Sequence, residues 1–287
     1  MRERPGVRIR QSANAGRTMK KLSLSQAWDE TRMVLARDGK LFASVALGLV
    51  VLPQTIIGLF VPRTTAEPTP IVFALLLISL VVGFIAQIAL NRLAIGPSTT
   101  VGSAIGRGVV RMPVLIASFI LITLVLFVLL VVFALLLGAV GVISSPTAGQ
   151  GPPASVLLLI ILFAAVTYAI FQLTIPVAAA EHGGPIHLLT RSWALARGNY
   201  LRLLGFVVLV LVGLVFVLMA GQFGLGSMIA ATLGPPQAGN VSALMIALVV
   251  ALIQAAFTVV FAVMLARIYL QLAGTDAAHA SVPKSGT

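Results

Sequence analysis

Long uncharged apolar runs constrain this chain more than any other feature of its sequence. Several exceed 20 residues, and a run of that length crosses the hydrocarbon core of a bilayer as one α-helix. Of the 287 residues, 59% are hydrophobic and only 9% are charged. This composition excludes an ordinary soluble domain, and the sequence predicts an all-α integral membrane protein.

The apolar runs predict six transmembrane helices, separated by turn segments such as 144–153. Pro53 lies inside the first predicted span, where a proline usually kinks a helix. We expect residues 1–23 and 274–287, which are polar, to be disordered tails of a membrane domain that covers 24–273. The six predicted spans cover about 41–61, 71–90, 113–143, 155–180, 203–233 and 241–272.

Positive charges are distributed unevenly among the predicted turns. Of the 19 Lys and Arg residues, only Arg63 falls in the three turns on one side of the membrane. Cytoplasmic loops carry the excess of Lys and Arg, so we predict that both termini and the connections rich in Lys and Arg are cytoplasmic. The net charge of +12 then suits anionic lipid headgroups, where each cation gains about 1 kcal/mol. We expect no nucleic acid partner.

A short amphipathic segment, 185–205, runs through the pair Gly198-Asn199 into the fifth span. A narrow apolar stripe with cations opposite it suits a helix in the headgroup layer better than one that crosses the bilayer. Weaker segments of the same kind, 24–38 and 96–112, precede the first and third spans. The stripe of the main segment consists of Ile186, Leu189, Trp193, Ala196 and Tyr200.

The three amphipathic segments can be aligned with one another. Arg37, Arg111 and Arg197 lie 74 and 86 residues apart, and each is followed four positions later by a Leu that begins an apolar run. We predict a threefold tandem repeat of interfacial helix plus helical hairpin. The alternative is that any interfacial segment has this pattern. The predicted repeats cover about 24–97, 98–184 and 185–273.

Glutamines are the most conspicuous polar residues within the predicted spans. Gln87, Gln172 and Gln254 could line a polar path, or they could form hydrogen bonds between helices that contribute about 0.6–2 kcal/mol each. We favour the second interpretation because the three lie at different depths. All seven acidic residues fall outside the predicted spans, which weighs against a proton-coupled or sodium-coupled carrier.

Glu181, His182 and His187 form the only group that suggests a metal or an acid-base site. The two histidines are five residues apart with Gly-Gly-Pro between them, which is not a helical ligand spacing. Polar surface residues at a helix entry are the simpler interpretation. The chain has no cysteine and no nucleophile elbow, phosphate-binding loop or carboxylate pair. We expect no enzymatic activity, no metal and no cofactor.

The sequence resembles a known group of bacterial membrane proteins. The motif Leu189-Thr190-Arg191-Ser192-Trp193, followed by Arg197-Gly198-Asn199, is similar to a signature of YciC-like inner-membrane proteins of unknown function. It also resembles the membrane domain that is fused to some glycerophosphodiester phosphodiesterases. The opening Ser23-Leu24-Ser25-Gln26-Ala27-Trp28 is similar to theirs too. The resemblance implies membrane placement and six spans, and it implies no catalytic activity for this chain.

Together these features predict a non-enzymatic inner-membrane protein that is lipid-associated or serves as an envelope scaffold or accessory protein. Its partners would be anionic lipids on the cytoplasmic side and envelope proteins. The alternative is a transporter or lipid-translocating protein in which the three glutamines face a cavity. The residues predicted to contact headgroup phosphates are Arg37, Arg111, Arg191, Arg197 and Arg202.

Overall fold

The described part of the chain is entirely helical. A computed structural model describes residues 22–60, 70–96, 99–139, 160–161, 163, 165, 167–169, 171–237 and 239–280. Its helices are α1 (Leu24–Ala46), α2 (Leu52–Phe60), α3 (Pro70–Ile95), α4 (Val101–Ala139), α5 (Thr174–Ala180), α6 (Pro185–Ala196), α7 (Tyr200–Ala220), α8 (Gly226–Leu233) and α9 (Val241–Ala280). One-turn π-helical segments join α1 to α2 and α7 to α8, at Leu47–Val51 and Gly221–Leu225.

Within the described residues, five helical stretches are long and apolar enough to cross a membrane. They are Leu24–Leu59, Pro70–Ile95, Val101–Phe133, Tyr200–Leu233 and Val241–Gly274. The predicted span over 155–180 begins outside the described residues, and its described part ends in a shorter apolar helix, Thr167–Ala180. Five such helices are compatible with a multi-pass membrane protein, and the sixth span stays a prediction.

The first span and the amphipathic segment before it form one continuous helix. The alignment of the segments places Asp38-Gly39 opposite Gly198-Asn199 and so predicts a break there, but α1 passes through both residues. The carboxylate of Asp38 accepts hydrogen bonds from the adjacent Arg37, with Nε at 2.9 Å and Nη2 at 2.7 Å, and Gly39 has no positive φ. Nothing local therefore interrupts the helix, and the expectation from that alignment is wrong.

The helix accommodates Pro53 through the first π-helical segment. The backbone N–H of Leu52 donates to the carbonyl of Leu47, five residues earlier, immediately before the proline that lacks an N–H. A π-turn inserts one residue into the helical ladder, and it does so where the proline would otherwise leave a carbonyl unpaired. In place of the kink predicted at Pro53, the structure has a π-turn within a helical stretch.

The three segments of the predicted repeat adopt different local structures. The first lies inside α1, and residues 101–112 of the second lie inside α4, which continues through Pro113. The third contains a turn before its apolar run, where Gly198 has a φ of +91° and separates α6 from α7. A glycine adopts this left-handed conformation without steric cost. The structure does not confirm the threefold repeat.

Helix α9 lies at the centre of the packing. It contacts α1, α2, α3 and α7 along most of its length, and small residues such as Ala251, Ala255 and Ala262 let these helices approach closely. Large apolar side chains on the outer faces of α4 and α7 are exposed, including Phe127 (62%) and Phe216 (74%). Such faces are stable only against lipid.

Candidate functional site

Arginine side chains hold the helix ends together at one end of the bundle, which we call the basic end. It consists of the start of α1, the end of α3, the start of α4, the connections on both sides of α6, and the end of α9. Arg267 on α9 donates from Nη2 to the carbonyl of Ala94 at 2.7 Å. This bond satisfies a carbonyl of the last turn of α3 that has no partner within the helix, so the end of α3 is attached to α9.

The connection 181–184 between α5 and α6 is held by two arginines of α4. Arg111 donates from Nη2 to the carbonyl of Glu181 at 2.7 Å and from Nη1 to the carbonyl of Gly183 at 2.9 Å. Arg107, one turn earlier, donates to the same Glu181 carbonyl at 3.0 Å, and its Nη1 lies 2.8 Å from Nε2 of His182. A guanidinium only donates, so the histidine nitrogen accepts.

The side chain of Glu181 joins two further helices at this point. Its Oε1 accepts from Nε of Arg191 at 3.1 Å and from the hydroxyl of Tyr269 at 2.9 Å. Arg191 belongs to α6 and Tyr269 to α9. Glu181 therefore connects α4, α6 and α9 through its backbone and its side chain, and we call this group of residues the Glu181 junction.

Helix α6 presents three different faces. Leu188, Ser192 and Leu195 are buried against the bundle, and the hydroxyl of Ser192 donates to that of Thr174 at 3.0 Å. On a second face, Ile186 (69%) and Trp193 (53%) are exposed, and the indole ring of Trp193 lies 6.4 Å from the ring of Phe171. The third face carries His187, Thr190 and Ala194, which are exposed. Helix α6 thus has one buried face and two exposed faces, of which one is mainly apolar.

The five arginines predicted to contact headgroups differ in what they already bind. Arg111 is buried, with 8% exposure, and binds two carbonyls. Arg191 is paired with Glu181, and Arg37 is paired with Asp38. Arg197 and Arg202 are exposed on either side of the turn before α7, and Arg202 uses Nη1 to donate to the carbonyl of Leu22 at 3.1 Å. These last two are the best placed to reach a phosphate.

The start of α1 packs across α9. Its first residues lie on the side of α9 that faces α7, and the residues after them lie on the side that faces α3. On the α7 side, Leu24 and Trp28 line an apolar groove of about 430 Å³ together with Phe206 of α7 and Phe261 of α9. On the α3 side, residues of α1 one to two turns further on line a cavity with Ile95 and Arg267: Glu30, Met33, Val34 and Arg37. The first turns of α1 therefore lie across the basic end.

A second site lies between the helices, where two adjoining cavities of about 160 and 390 Å³ share Gln87, Gln254 and Thr258. Both are open to the outside of the bundle, since exposed residues such as Leu80 and Leu211 line them. We call these two cavities the polar chamber. The structure thus brings Gln87 of α3 and Gln254 of α9 together, although they lie at different distances from their helix ends. Gln172 is not among the lining residues of either cavity. It is buried, and its Nε2 donates to the carbonyl of Ala169 at 3.3 Å.

No cluster of three or more His, Asp and Glu side chains suited to a metal ion occurs within the described residues. The prediction that Glu181 is a polar surface residue at a helix entry missed the Glu181 junction. The available signal was the pair Arg107 and Arg111, which are four residues apart on one helix face in an otherwise apolar helix. Such a pair needs an acceptor when the helix is packed in a bundle.

Comparison with known proteins identifies a family whose function is not known. Residues 22–272 match the family described as Domain of unknown function (DUF7847). No curated protein and no solved structure matches the chain. No named relative connects it to YciC-like proteins or to phosphodiesterase membrane domains, so that resemblance stays a prediction.

Proposed function

We propose, for a chain that belongs to the DUF7847 family, that it is a non-enzymatic multi-pass membrane protein that binds anionic lipid at its basic end. It would act alone or as an accessory to other envelope proteins. We further propose that the basic end faces the cytoplasm of a bacterial inner membrane, as the distribution of Lys and Arg predicts.

The observation that carries this proposal is the exposed surface of α6 and the turn that follows it. Ile186 and Trp193 lie on one outward face, and a half-exposed indole beside an aliphatic side chain is typical of the headgroup layer. Arg197 and Arg202 follow within nine residues of Trp193 and are exposed as well. An exposed apolar face followed closely in the chain by two exposed cations suits an anionic phospholipid, which has an acyl chain next to a phosphate.

The apolar groove under α1 supplies a place for the acyl chain. Arg202 lies one helical turn before Phe206 on the same face of α7, and Phe206 stacks on Phe261 at a ring-centroid distance of 5.8 Å. The groove begins at this stacked pair and is lined by Leu24 and Trp28. A phosphate bound by Arg202 would therefore place one acyl chain in the groove.

Lipid analysis of purified protein tests the proposal. Replacing a charged donor by a neutral one weakens a direct hydrogen bond to phosphate by about 1 kcal/mol, so the double variant Arg197→Gln/Arg202→Gln is expected to bind phosphatidylglycerol about thirtyfold more weakly. The matched control is Arg32→Gln/Lys40→Gln, which removes two exposed cations of α1. We expect the first variant alone to lose copurified phosphatidylglycerol, and equal lipid content in both would contradict the proposal.

A second candidate function is transport or lipid translocation, which the polar chamber supports. Gln87 and Gln254 face the same internal space, as a polar path requires, whereas Gln172 does not line it. Flux of a fluorescent lipid across proteoliposome membranes measures this activity. Translocation by the natural chain that Gln87→Leu/Gln254→Leu abolishes would favour this function over simple lipid binding.

A further inference from the structure

The polar chamber lies deep within the membrane region of the bundle. Thr258 and Gln254 precede Arg267 of the basic end by nine and thirteen residues on α9. At 1.5 Å per residue these separations are about 14 and 20 Å, and the hydrocarbon core is about 30 Å thick. The chamber is therefore near the middle of the membrane, where a polar side chain is costly unless it has a partner.

The polar groups of the chamber are all uncharged. Within the described residues, no charged side chain lines either cavity. The amides and hydroxyls come from Gln54, Ser79, Gln87, Tyr168, Gln254 and Thr258. The Oε1 atom of Gln87 is buried and has no hydrogen-bond partner within the described part of the chain. A buried amide oxygen without a partner costs about 1–3 kcal/mol. A bound hydroxyl group would recover this cost once the Gln87 amide rotates toward the cavities that it lines.

The cavity walls between these polar groups are apolar. Part of one wall is formed by the first π-helical segment. Leu49 and Val50 of the first π-helical segment line the larger cavity, and Gln54 follows within one turn. A π-turn shifts the register of the side chains that follow it, and such turns occur often at functional sites. Here the shifted register brings Gln54 to the same cavity as Gln254.

We infer that the polar chamber binds a neutral, hydroxyl-bearing molecule, whose hydroxyl groups pair with Gln87, Gln254 and Thr258. A primary amide both donates and accepts, which suits a hydroxyl group. An ion would enter a low-dielectric space without a counter-charge, at a high desolvation cost. The hydroxyl groups can belong to a lipid or to a free polyol. This inference does not rest on lipid binding by Arg197 and Arg202.

Introduced thiols test the inference, because the chain has no cysteine of its own. Thr258→Cys places a thiol in the chamber, and Ala256→Cys places one at an exposed position of the same helix at the same depth. The probe is the neutral reagent 2-hydroxyethyl methanethiosulfonate, applied to protein in nanodiscs. Only the thiolate reacts, and hydrocarbon suppresses its formation, so we expect Thr258→Cys to react at least ~tenfold faster.

Protection of the chamber thiol identifies the ligand. The ligands are 1,2-dioctanoylglycerol, glycerol and, as the anionic control, dioctanoylphosphatidylglycerol. We expect a neutral ligand to slow the reaction several-fold, equally well in the background Arg197→Gln/Arg202→Gln, and the anionic lipid to leave it unchanged. Slowing by dioctanoylglycerol alone assigns a lipid-borne hydroxyl group, and slowing by glycerol assigns a free polyol.

Three results would overturn the inference. Equal reaction rates of Thr258→Cys and Ala256→Cys would show that the polar chamber is not hydrated. Fast reaction that neither neutral ligand slows would show a hydrated cavity only, and equal protection by the anionic lipid would show no preference for neutral molecules. Ser79→Cys, on α3, is a second chamber variant, so the test does not depend on the folding of one substitution.

Discussion

Glu181 shows how a single acidic residue can organise the basic end. Its carbonyl accepts from Arg107 and Arg111, and its side chain accepts from Arg191 and Tyr269. Four donors from three helices thus converge on one residue. A carboxylate at this point balances part of the positive charge that Arg107, Arg111 and Arg191 bring together.

Replacing Glu181 by Ala is expected to destabilise the protein by about 1–3 kcal/mol, because the buried Tyr269 loses the acceptor of its hydroxyl group and Arg191 loses its counter-charge. Thermal unfolding of purified protein in detergent measures the effect. Glu181→Gln keeps an acceptor oxygen and should lose less. If both substitutions left the unfolding temperature unchanged, the junction would contribute nothing to stability.

At the scale of helices, α1 and α6 differ in how they meet the spans that follow them. Helix α1 continues through Gly39, whereas α6 ends at Ala196 and Gly198 turns the chain with a φ of +91°. In both, the sequence places a breaker pair between an amphipathic segment and an apolar run. The pattern alone cannot separate the two outcomes, because glycine is compatible with a helix as well as with a turn.

Alanine substitutions distinguish these two glycines. A Cβ atom at either position would meet no other atom within 4 Å, so only backbone conformation matters. Gly198→Ala should destabilise by about 1–2 kcal/mol because of its left-handed backbone. Gly39→Ala should stabilise by about 0.5–1 kcal/mol, as in any helix interior. Unfolding temperatures measure both, and a loss of stability in Gly39→Ala would contradict a continuous α1.

The depth of α6 can be measured through its tryptophan, since Trp28 and Trp193 are the two tryptophans of the chain. Trp28→Phe leaves Trp193 as the sole indole, and Trp193→Phe leaves Trp28. We expect lipids brominated near the top of the acyl chain to quench Trp193 fluorescence more than lipids brominated near its end. Stronger quenching by the deeper bromines, or none, would mean that α6 does not lie in the headgroup layer.

At the scale of the whole molecule, the hydropathy of the sequence was sufficient to predict a multi-pass helical architecture. Apolar runs identify helices directly, because length and composition alone decide whether a helix can cross a bilayer. The chamber and the Glu181 junction could not be predicted in the same way. Gln87 and Gln254 meet only because α3 and α9 pack side by side, and helix pairing is not encoded in the period of either segment.

The orientation of the molecule is a prediction that labelling from each side checks. Thr190→Cys lies at the basic end and Gln237→Cys lies in the connection between α8 and α9, both at exposed positions. We expect a membrane-impermeant reagent to reach Gln237→Cys in intact spheroplasts and Thr190→Cys only after the membrane is opened. The reverse pattern would place the basic end outside.

Two hydrogen bonds attach the backbone of Leu22 to the start of α7. Its N–H donates to Oδ1 of Asn199 at 3.2 Å, and its carbonyl accepts from Arg202. Seven Lys and Arg residues precede Leu22 in the sequence. Their covalent connection to Leu22 raises their effective concentration at Arg202, whatever the concentration of the protein.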